Sequence, residues 1–269
     1  LRESLASRHP EALAPVATYG VPKEIKPLID TLNSLLIRVQ QTLVREQRFT
    51  NDAAHELRTP LTAIKTHLQV AQRAEGPAAQ EALKYAEAGV VRLAHTLDQL
   101  LTLARVEGRM RFDDGEPSDV AHVIELAVAD SAAAPGQCQW PGTLPNACLA
   151  MPRELAITAL RNLVDNALHH GPQGGAITLH TAQTHRDITF TVHDQGPGVD
   201  EDTLAQLTQR FWRASKQQGS GLGLAIVAAI TQRFGGDVRF ENATSGGFCA
   251  HLRVPTVPVQ TSKTITTEA

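Results

Sequence analysis

The most constraining feature of the sequence is a helical pattern of about 50 residues, from Lys23 to about Arg73. Its first apolar side chains alternate spacings of four and three, and they are Leu28, Leu32, Leu35 and Val39. That alternation is the seam of a coiled coil. A helix of this length greatly exceeds the globular average, so we expect it to need a partner helix along its length.

A second helix is predicted from about Ala78 to Val106, because Glu75-Gly76-Pro77 interrupts the first pattern. Its apolar face is formed by Val90, Leu93, Leu97, Leu100, Leu101 and Ala104. Two antiparallel helices with a short turn make a helical hairpin, which cannot bury this stripe alone. Two hairpins side by side can bury it, so the sequence predicts a homodimer built around a four-helix bundle.

The second half of the chain alternates helical and strand patterns. Ser118 and Asp119 offer an N-cap for a helix predicted to run to about Ala134. Apolar and polar residues alternate strictly over 188–193 and 248–254, as in strands with one buried face. Strands of this kind covered by helices predict a two-layer α/β sandwich.

Charge, hydropathy and cysteine content narrow the function classes. A formal net charge of −3 without a long block of like charge argues against a nucleic-acid partner. The longest apolar run, Leu224 to Ile230, falls far short of the ~18 residues that a membrane helix needs. Three scattered cysteines show neither metal spacing nor a disulfide framework, which fits a reducing cytosol. Since the chain does not begin with Met, we expect it to be a fragment of a longer protein.

The first chemical motif lies within the long helix and reads His55-Glu56-Leu57-Arg58-Thr59-Pro60. Imidazole is a nucleophile near neutral pH if a base takes its proton, and Glu56 is placed to be that base. Thr59 follows one helical turn later and can orient a water for the reverse, hydrolytic reaction. Pro60 removes a helical hydrogen bond, which predicts a bend near the nucleophile.

The segment from Phe49 to Leu61 closely resembles the phosphoacceptor motif of the sensor histidine kinases of two-component signalling. The resemblance implies that His55 is autophosphorylated and that Glu56 acts as the base. It also implies that Thr59 supports phosphatase activity toward a phosphorylated response regulator.

A second motif, around 162–170, carries Asn162, Asp165 and Asn166 at helical spacing, which predicts one polar face opposite the apolar one. Amide oxygens suit Mg²⁺, which also binds phosphate oxygens. The segment resembles the N box of the same family, which implies that Asn166 ligates Mg²⁺ and that Asn162 lies by the nucleotide phosphates. His169 stands where the family often has Lys or Arg, and His170 stands where a ring commonly contacts the nucleotide.

The third motif, Asp194-Gln195-Gly196-Pro197-Gly198, follows a predicted strand. A carboxylate at a strand end can accept a hydrogen bond from the adenine amino group, and glycines let the backbone approach the base. The segment resembles the G1 box, which implies that Asp194 reads adenine beside Gly196 and Gly198.

Two further motifs complete the series. The run Arg210-Phe211-Trp212-Arg213 resembles the F box, which implies that Phe211 anchors a lid over ATP and that Arg213 or Lys216 meets phosphates.

A glycine-rich stretch then opens a helix, whose N-terminus offers amides and a positive dipole end to phosphate. It is not a dinucleotide fingerprint, because no βαβ unit with an acidic residue about 20 positions on is evident. It is not a P-loop, because no Lys-Ser/Thr follows the glycines. It resembles the G2 box, which implies nucleotide contacts from Gly219, Gly221, Leu222, Gly223 and Leu224.

The resemblance extends over residues from about 49 to 254 and implies a fold class. A helical hairpin forming a dimeric four-helix bundle, at 46–108, precedes a two-layer α/β sandwich of the Bergerat or GHKL ATP-binding type, at 109–256. Residues 1–45 resemble a partial HAMP linker and signalling helix, and 257–269 are predicted to be a disordered tail.

The resemblance also implies ATP and Mg²⁺ as cofactors, with a second copy of the chain and a response-regulator receiver domain as partners. It further implies that the chain is the cytoplasmic portion of an inner-membrane sensor protein, with a membrane partner only through N-terminal segments outside this chain. Three rival functions are a GHKL-type ATPase without a phosphoacceptor histidine, a degenerate kinase that only binds a partner, and a serine kinase on the same ATP fold. The hand of the turn at 75–77 decides whether phosphorylation occurs within one chain or across the dimer.

Overall fold

The structure is a computed structural model that describes residues 16, 22–108, 118–140, 142–213, 220–244 and 246–257, with Arg45 described by its backbone only. The chain divides into two compact units, Leu1–Leu93 and Ala94–Ala269. Predictions for residues 1–15, 109–117 and 258–269 lie outside the described residues.

The first unit contains helix α1 (Lys26–Arg73) and most of helix α2 (Pro77–Glu107). The predicted hairpin is confirmed, and α1 continues through Pro60 without interruption. The two helices approach closely at Gly89, where an added Cβ would lie 2.7 Å from Ile64 Cγ1. Among the described helices, none is both long and apolar enough to cross a membrane.

One contact ties the segment before α1 to that helix. The backbone N–H of Val16 donates to Asn33 Oδ1 over 2.6 Å, and Asn33 Nδ2 donates to the Val16 carbonyl over 2.9 Å. Val16 is buried, as is Ile29 on α1. The partial HAMP linker stays a prediction, because most of residues 1–21 lie outside the described part of the chain.

In its described residues, the second unit adds four helices and six strands to the end of α2. The helices are α3 (Val120–Ala129), α4 (Arg153–His170), α5 (Glu201–Leu204) and α6 (Gly223–Arg233). The strands are β1 (Cys138–Gln139), β2 (Cys148–Leu149), β3 (Ile177–Gln183), β4 (Asp187–His193), β5 (Asp237–Asn242) and β6 (Phe248–Val257).

The strands form one sheet in the order β1-β3-β4-β6-β2, and β5 also pairs with β6. All pairs are antiparallel except β1 with β3. Alternate residues of β4 are buried, including Phe190, and α4 contacts β3, β4 and β6 while α6 contacts β5 and β6. The predicted two-layer α/β sandwich is therefore confirmed.

Two predicted boundaries are wrong. The helix expected to reach Ala134 ends at Ala129, although Asp119 caps its start by accepting from the His122 amide. It stops because the Ser131 hydroxyl donates to the Val128 carbonyl and the Ala132 amide turns to the Asp165 carboxylate on α4. Residue 257, predicted to open the tail, instead pairs with Cys148 in the sheet, and the rest of the predicted tail lies outside the described residues.

The end of α2 belongs to the compact unit that contains the α/β sheet. Arg233 Nη1, at the end of α6, donates to the carbonyls of Arg105 over 3.2 Å and Val106 over 2.8 Å. An arginine there satisfies carbonyls that a helix C-terminus leaves open. The last turns of α2 are thus fixed to α6 by hydrogen bonds.

Candidate functional site

The helical unit presents His55 on an exposed face of α1. Glu56 is half-buried, and the Thr59 hydroxyl donates to the His55 carbonyl over 3.3 Å. An open groove runs along this face and is lined by His55, Arg58, Thr59, Thr62, Ala63, Thr66 and His67. The imidazole is therefore accessible to a second reactant, with the predicted base next to it in sequence and Thr59 one turn away.

Asp194 is the most buried of the predicted site residues that carry an ionisable side chain, at 2% exposure just after β4. Its Oδ1 accepts from the Gly196 amide over 2.7 Å and from the Phe248 amide over 3.2 Å. Its Oδ2 is buried and has no hydrogen-bond partner among the described residues. A buried acceptor without a partner is costly, so this oxygen suits a ligand that brings an N–H donor, such as an adenine amino group.

The sequence interpretation missed the part that β6 plays at this carboxylate. The Asp194 amide donates to the Phe248 carbonyl over 3.0 Å, and the Phe248 amide donates to the Asp194 carboxylate. A Cβ at Gly247 would lie 2.0 Å from the Asp194 carbonyl oxygen. The Gly246-Gly247 pair signalled only a turn, because the pairing that brings it to Asp194 spans more than fifty residues.

The polar face predicted for Asn162, Asp165 and Asn166 on α4 is covered at Asn162. Asn162 is buried, whereas Asp165 and Asn166 are half-buried. Asn162 Nδ2 donates to the Thr158 carbonyl over 2.8 Å, and its Oδ1 would be 2.9 Å from a Cβ at Gly223. The cause is α6, whose first turn lies against this side of α4.

Helix α4 supports two of the predicted motifs. Asn162 lies against the start of α6, and the His170 carbonyl would be 2.9 Å from a Cβ at Gly196. The rings of His169 and His170 meet edge to face at the end of α4, with centroids 5.0 Å apart. Desolvation of the ring lowers the pKa of His170, the neighbouring His169 lowers it further, and the Asp194 carboxylate opposes both.

The glycine-rich motif opens α6 as predicted. The helix begins at Gly223 and buries Leu222 and Leu224. The first amides of a helix have no intrahelical acceptor, so this end can receive an anion. The Leu222 amide is already bonded to the Ser220 hydroxyl oxygen over 3.1 Å, and that hydroxyl donates to Gln99 of α2.

The predicted F-box residue Phe211 adopts a positive φ of 60°, which is strained for an aromatic residue. Its amide donates to the Gly221 carbonyl over 2.9 Å, which joins this segment to the glycine-rich motif. Arg213 is exposed at the edge of the described residues. Lys216 and Gly219 lie outside them, so their predicted nucleotide contacts stay predictions.

Two family models match the chain. The His Kinase A (phospho-acceptor) domain matches residues 45–109. The Histidine kinase-, DNA gyrase B-, and HSP90-like ATPase matches residues 152–258. The first match contains His55, and the second contains Asn166, Asp194 and the start of α6.

Several characterised relatives are similar over nearly the whole chain. The sensor protein QseC of Salmonella typhi is 39% identical across 94% of this chain and 57% of its own length. The sensor protein BasS of Salmonella typhimurium is 31% identical across 91% of this chain and 69% of its own length. The chain thus spans just over half the length of QseC.

Two solved structures share the fold. The Acinetobacter baumannii histidine kinase AdeS, at 23% identity, covers 75% of this chain and 96% of its own with a TM-score of 0.59. The histidine kinase ThkA, solved in complex with the response regulator protein TrrA, has 19% identity and a TM-score of 0.59. That match covers 82% of this chain and 65% of the other.

Proposed function

The chain belongs to the sensor histidine kinases of two-component systems, and from that premise we propose that its α/β unit uses ATP to phosphorylate His55. One observation carries the proposal. An exposed histidine, followed in sequence by a carboxylate, lies in the same chain as an α/β unit in which the buried Asp194 has a carboxylate oxygen without a hydrogen-bond partner among the described residues. Exposure suits a nucleophile that must meet the γ-phosphorus, and burial suits a carboxylate that reads a base.

In the proposed reaction a nitrogen of His55 attacks the γ-phosphorus of ATP. The new N–P bond forms as the bond to the bridging oxygen breaks, ADP leaves, and Glu56 takes the imidazole proton. Asp194 orients adenine through Oδ2, and the amides at the start of α6 face the phosphates. Catalysis then consists mainly of positioning and charge neutralisation.

Asn166 is the residue that would hold Mg²⁺. It is half-buried one turn after Asn162, on the helix whose end supports Gly196. Among the described residues, no group of three or more His, Cys, Asp or Glu forms a metal cage. A single amide ligand fits Mg²⁺, which keeps several waters and takes its remaining ligands from phosphates, and the ion would neutralise phosphate charge.

The proposed partners follow from the same reaction. Phosphohistidine on an exposed helix face is open to a receiver domain, whose aspartate would take the phosphoryl group. The chain would act as a homodimer and as part of a membrane sensor whose other segments lie outside it.

A phosphatase role toward that receiver is a second proposal, carried by Thr59. Its hydroxyl is exposed, and its single bond to the His55 carbonyl is long at 3.3 Å, so it is free to turn to a water. Thr59→Ala should lower the rate of receiver dephosphorylation more than the rate of autophosphorylation. Equal losses of both rates would assign Thr59 to the helix alone.

The test of the kinase proposal is incubation of the purified chain with γ-labelled ATP and Mg²⁺, beside His55→Gln and Asn166→Ala. We expect acid-labile label on the natural chain and none on either variant. Bound ATP without label would favour a degenerate binding module. Label that survives acid, or that persists in His55→Gln, would favour a serine kinase.

A further inference from the structure

Asn242, the last residue of β5, forms a two-way hydrogen bond with one residue of the loop after Asp194. Its Oδ1 accepts from the Val199 amide over 2.9 Å, and its Nδ2 donates to the Val199 carbonyl over 2.7 Å. An asparagine amide carries one acceptor and one donor arranged like a peptide group. It therefore satisfies both backbone groups of Val199 as a neighbouring strand would.

The loop that Asn242 binds is the one that borders the Asp194 carboxylate. Gly196 begins the loop with its amide on Asp194 Oδ1, and Val199 ends it on Asn242. Gly198 lies between them with φ of 73°, and a Cβ there would be 2.6 Å from Asn242 Oδ1. A side chain at 198 would therefore displace Asn242 from Val199.

We propose that Asn242 is a positioning residue of the nucleotide site. It holds the far end of the 196–199 loop, while Asp194 holds the near end, so the backbone that flanks the unpartnered Oδ2 is fixed from both sides. This inference rests on the proposed function, because it assigns adenine nucleotides as the ligand of that site. Neither family motif nor sequence spacing pointed to Asn242.

A purely structural role is the competing explanation. The segment after the loop has its own support, because Asp200 accepts from the Thr203 amide over 2.8 Å and from the Thr203 hydroxyl over 2.9 Å. Helix α5 therefore keeps its N-cap without Asn242. Loss of Asn242 should loosen the loop without unfolding its surroundings, since the side chain is exposed.

The first measurement is ADP affinity of the full chain by calorimetry, with the kinetics of autophosphorylation beside it. Asn242→Ala should weaken ADP binding and raise the KM for ATP about fivefold, and leave kcat at saturating ATP within about twofold. Asn33→Ala is the matched control, because Asn33 makes the same two-way bond to Val16 in the other unit. It should leave ADP affinity unchanged.

Asn242→Asp separates positioning from general loss of structure. At neutral pH its carboxylate can accept from the Val199 amide but cannot donate to the carbonyl, so ADP binding should be weak. Protonation restores an O–H donor, so affinity relative to the natural chain should recover as pH falls from 7.5 toward 4, which approaches the ordinary Asp pKa of about 3.9. Glu241 and Asp200, next along the chain on either side of the bond, carry like charge toward the new carboxylate and favour its protonated form as pH falls.

The outcomes are distinguishable. If the natural chain binds no adenine nucleotide, the proposed function itself fails. If it binds and Asn242→Ala binds equally well, only the role of Asn242 is overturned. If Asn242→Ala does not fold, the pH ratio of Asn242→Asp decides: a flat ratio overturns the inference, and a rising ratio at low pH supports it.

Discussion

The helical unit and the α/β unit place their key groups in opposite environments. His55 is exposed on α1, whereas Asp194 is 2% exposed and held by two backbone amides. The nucleophile proposed at His55 has to reach a second reactant, whereas the carboxylate proposed to hydrogen-bond a base binds it more strongly where water is excluded. The proposed role of His55 therefore requires access to a second reactant, whereas the proposed role of Asp194 requires the exclusion of water.

The same contrast holds for their apolar side chains. Leu28 and Val91 of the helical unit are each 70% exposed, whereas Phe190 and Leu252 of the α/β unit are at most 2% exposed. Exposed apolar stripes on long helices mark an interface with another chain. The α/β unit therefore completes its core within one chain, whereas the helical unit leaves apolar side chains exposed that the proposed second copy would cover.

Among the variants that would test this contrast between the two units, Gly247→Ala is expected to have the largest effect. The new Cβ would lie 2.0 Å from the Asp194 carbonyl oxygen at a φ of 96°, so β6 and β4 would have to separate. We expect the α/β unit to lose more than about 3 kcal/mol of unfolding free energy while the α1–α2 hairpin keeps its helicity. Calorimetry with circular dichroism measures both.

Gly246→Ala is the control for that variant. Gly246 has a similar φ of 91°, but a Cβ there meets nothing within 4 Å. It should cost only the backbone strain of about 1–2 kcal/mol. Equal destabilisation by both variants would show that conformation, not contact with Asp194, requires the glycine.

Asp194→Asn should have the next largest effect, confined to nucleotide binding. Its amide oxygen can still accept from Gly196 and Phe248, so the fold persists, but an N–H₂ group would face the adenine amino group in place of Oδ2. Loss of a charge-assisted hydrogen bond and two opposed donors should weaken ADP binding about 100-fold. Titration calorimetry measures it. His55→Gln, in the helical unit, should bind ADP normally. A similar loss of ADP affinity in that variant would contradict the separate roles of the two units.

The sequence predicted these two environments unevenly. Long periodic elements were confirmed, namely α1, α2, β4 and β6, because their apolar spacing reports burial directly. The short strands β1 and β2, of two residues each, and the largely exposed β5 carry no such spacing. The burial of Asn162 was not predicted, because α6 packs on that side of α4 and packing between distant segments leaves no local periodicity.

In the candidate site, too, local sequence patterns were predictable and contacts between distant segments were not. Residues adjacent in sequence, such as His55 with Glu56, were predictable from their chemistry. The bonds from Phe248 to Asp194 and from Asn242 to Val199 join residues 54 and 43 positions apart. Only the pairing of β4 and β5 with β6 brings these residues together, so no local pattern identified them.

A smaller effect is expected at the helical interface. Val90 is 53% exposed on α2, so Val90→Ser should leave the stability of a single chain nearly unchanged. In a four-helix dimer each copy would lose about 1.5 kcal/mol of apolar burial, which should raise the dimer dissociation constant at least tenfold. Sedimentation equilibrium measures it. Lys84→Ser, exposed on the same helix, is the control, and equal dissociation constants would place the interface elsewhere.

The smallest effect concerns Cys138, whose burial at the start of β1 raises the pKa of its thiol from 9.0 to about 11. Between these values the unfolded chain loses the thiol proton while the folded chain retains it. The unfolding free energy of the α/β unit should therefore fall as pH rises from about 9 to 11. Cys138→Ala should flatten this decline relative to the natural chain in denaturant titrations. All three cysteines lie in the α/β unit, so the helical hairpin should show no thiol contribution, and an unchanged slope in Cys138→Ala would mean that water reaches the thiol in the folded state.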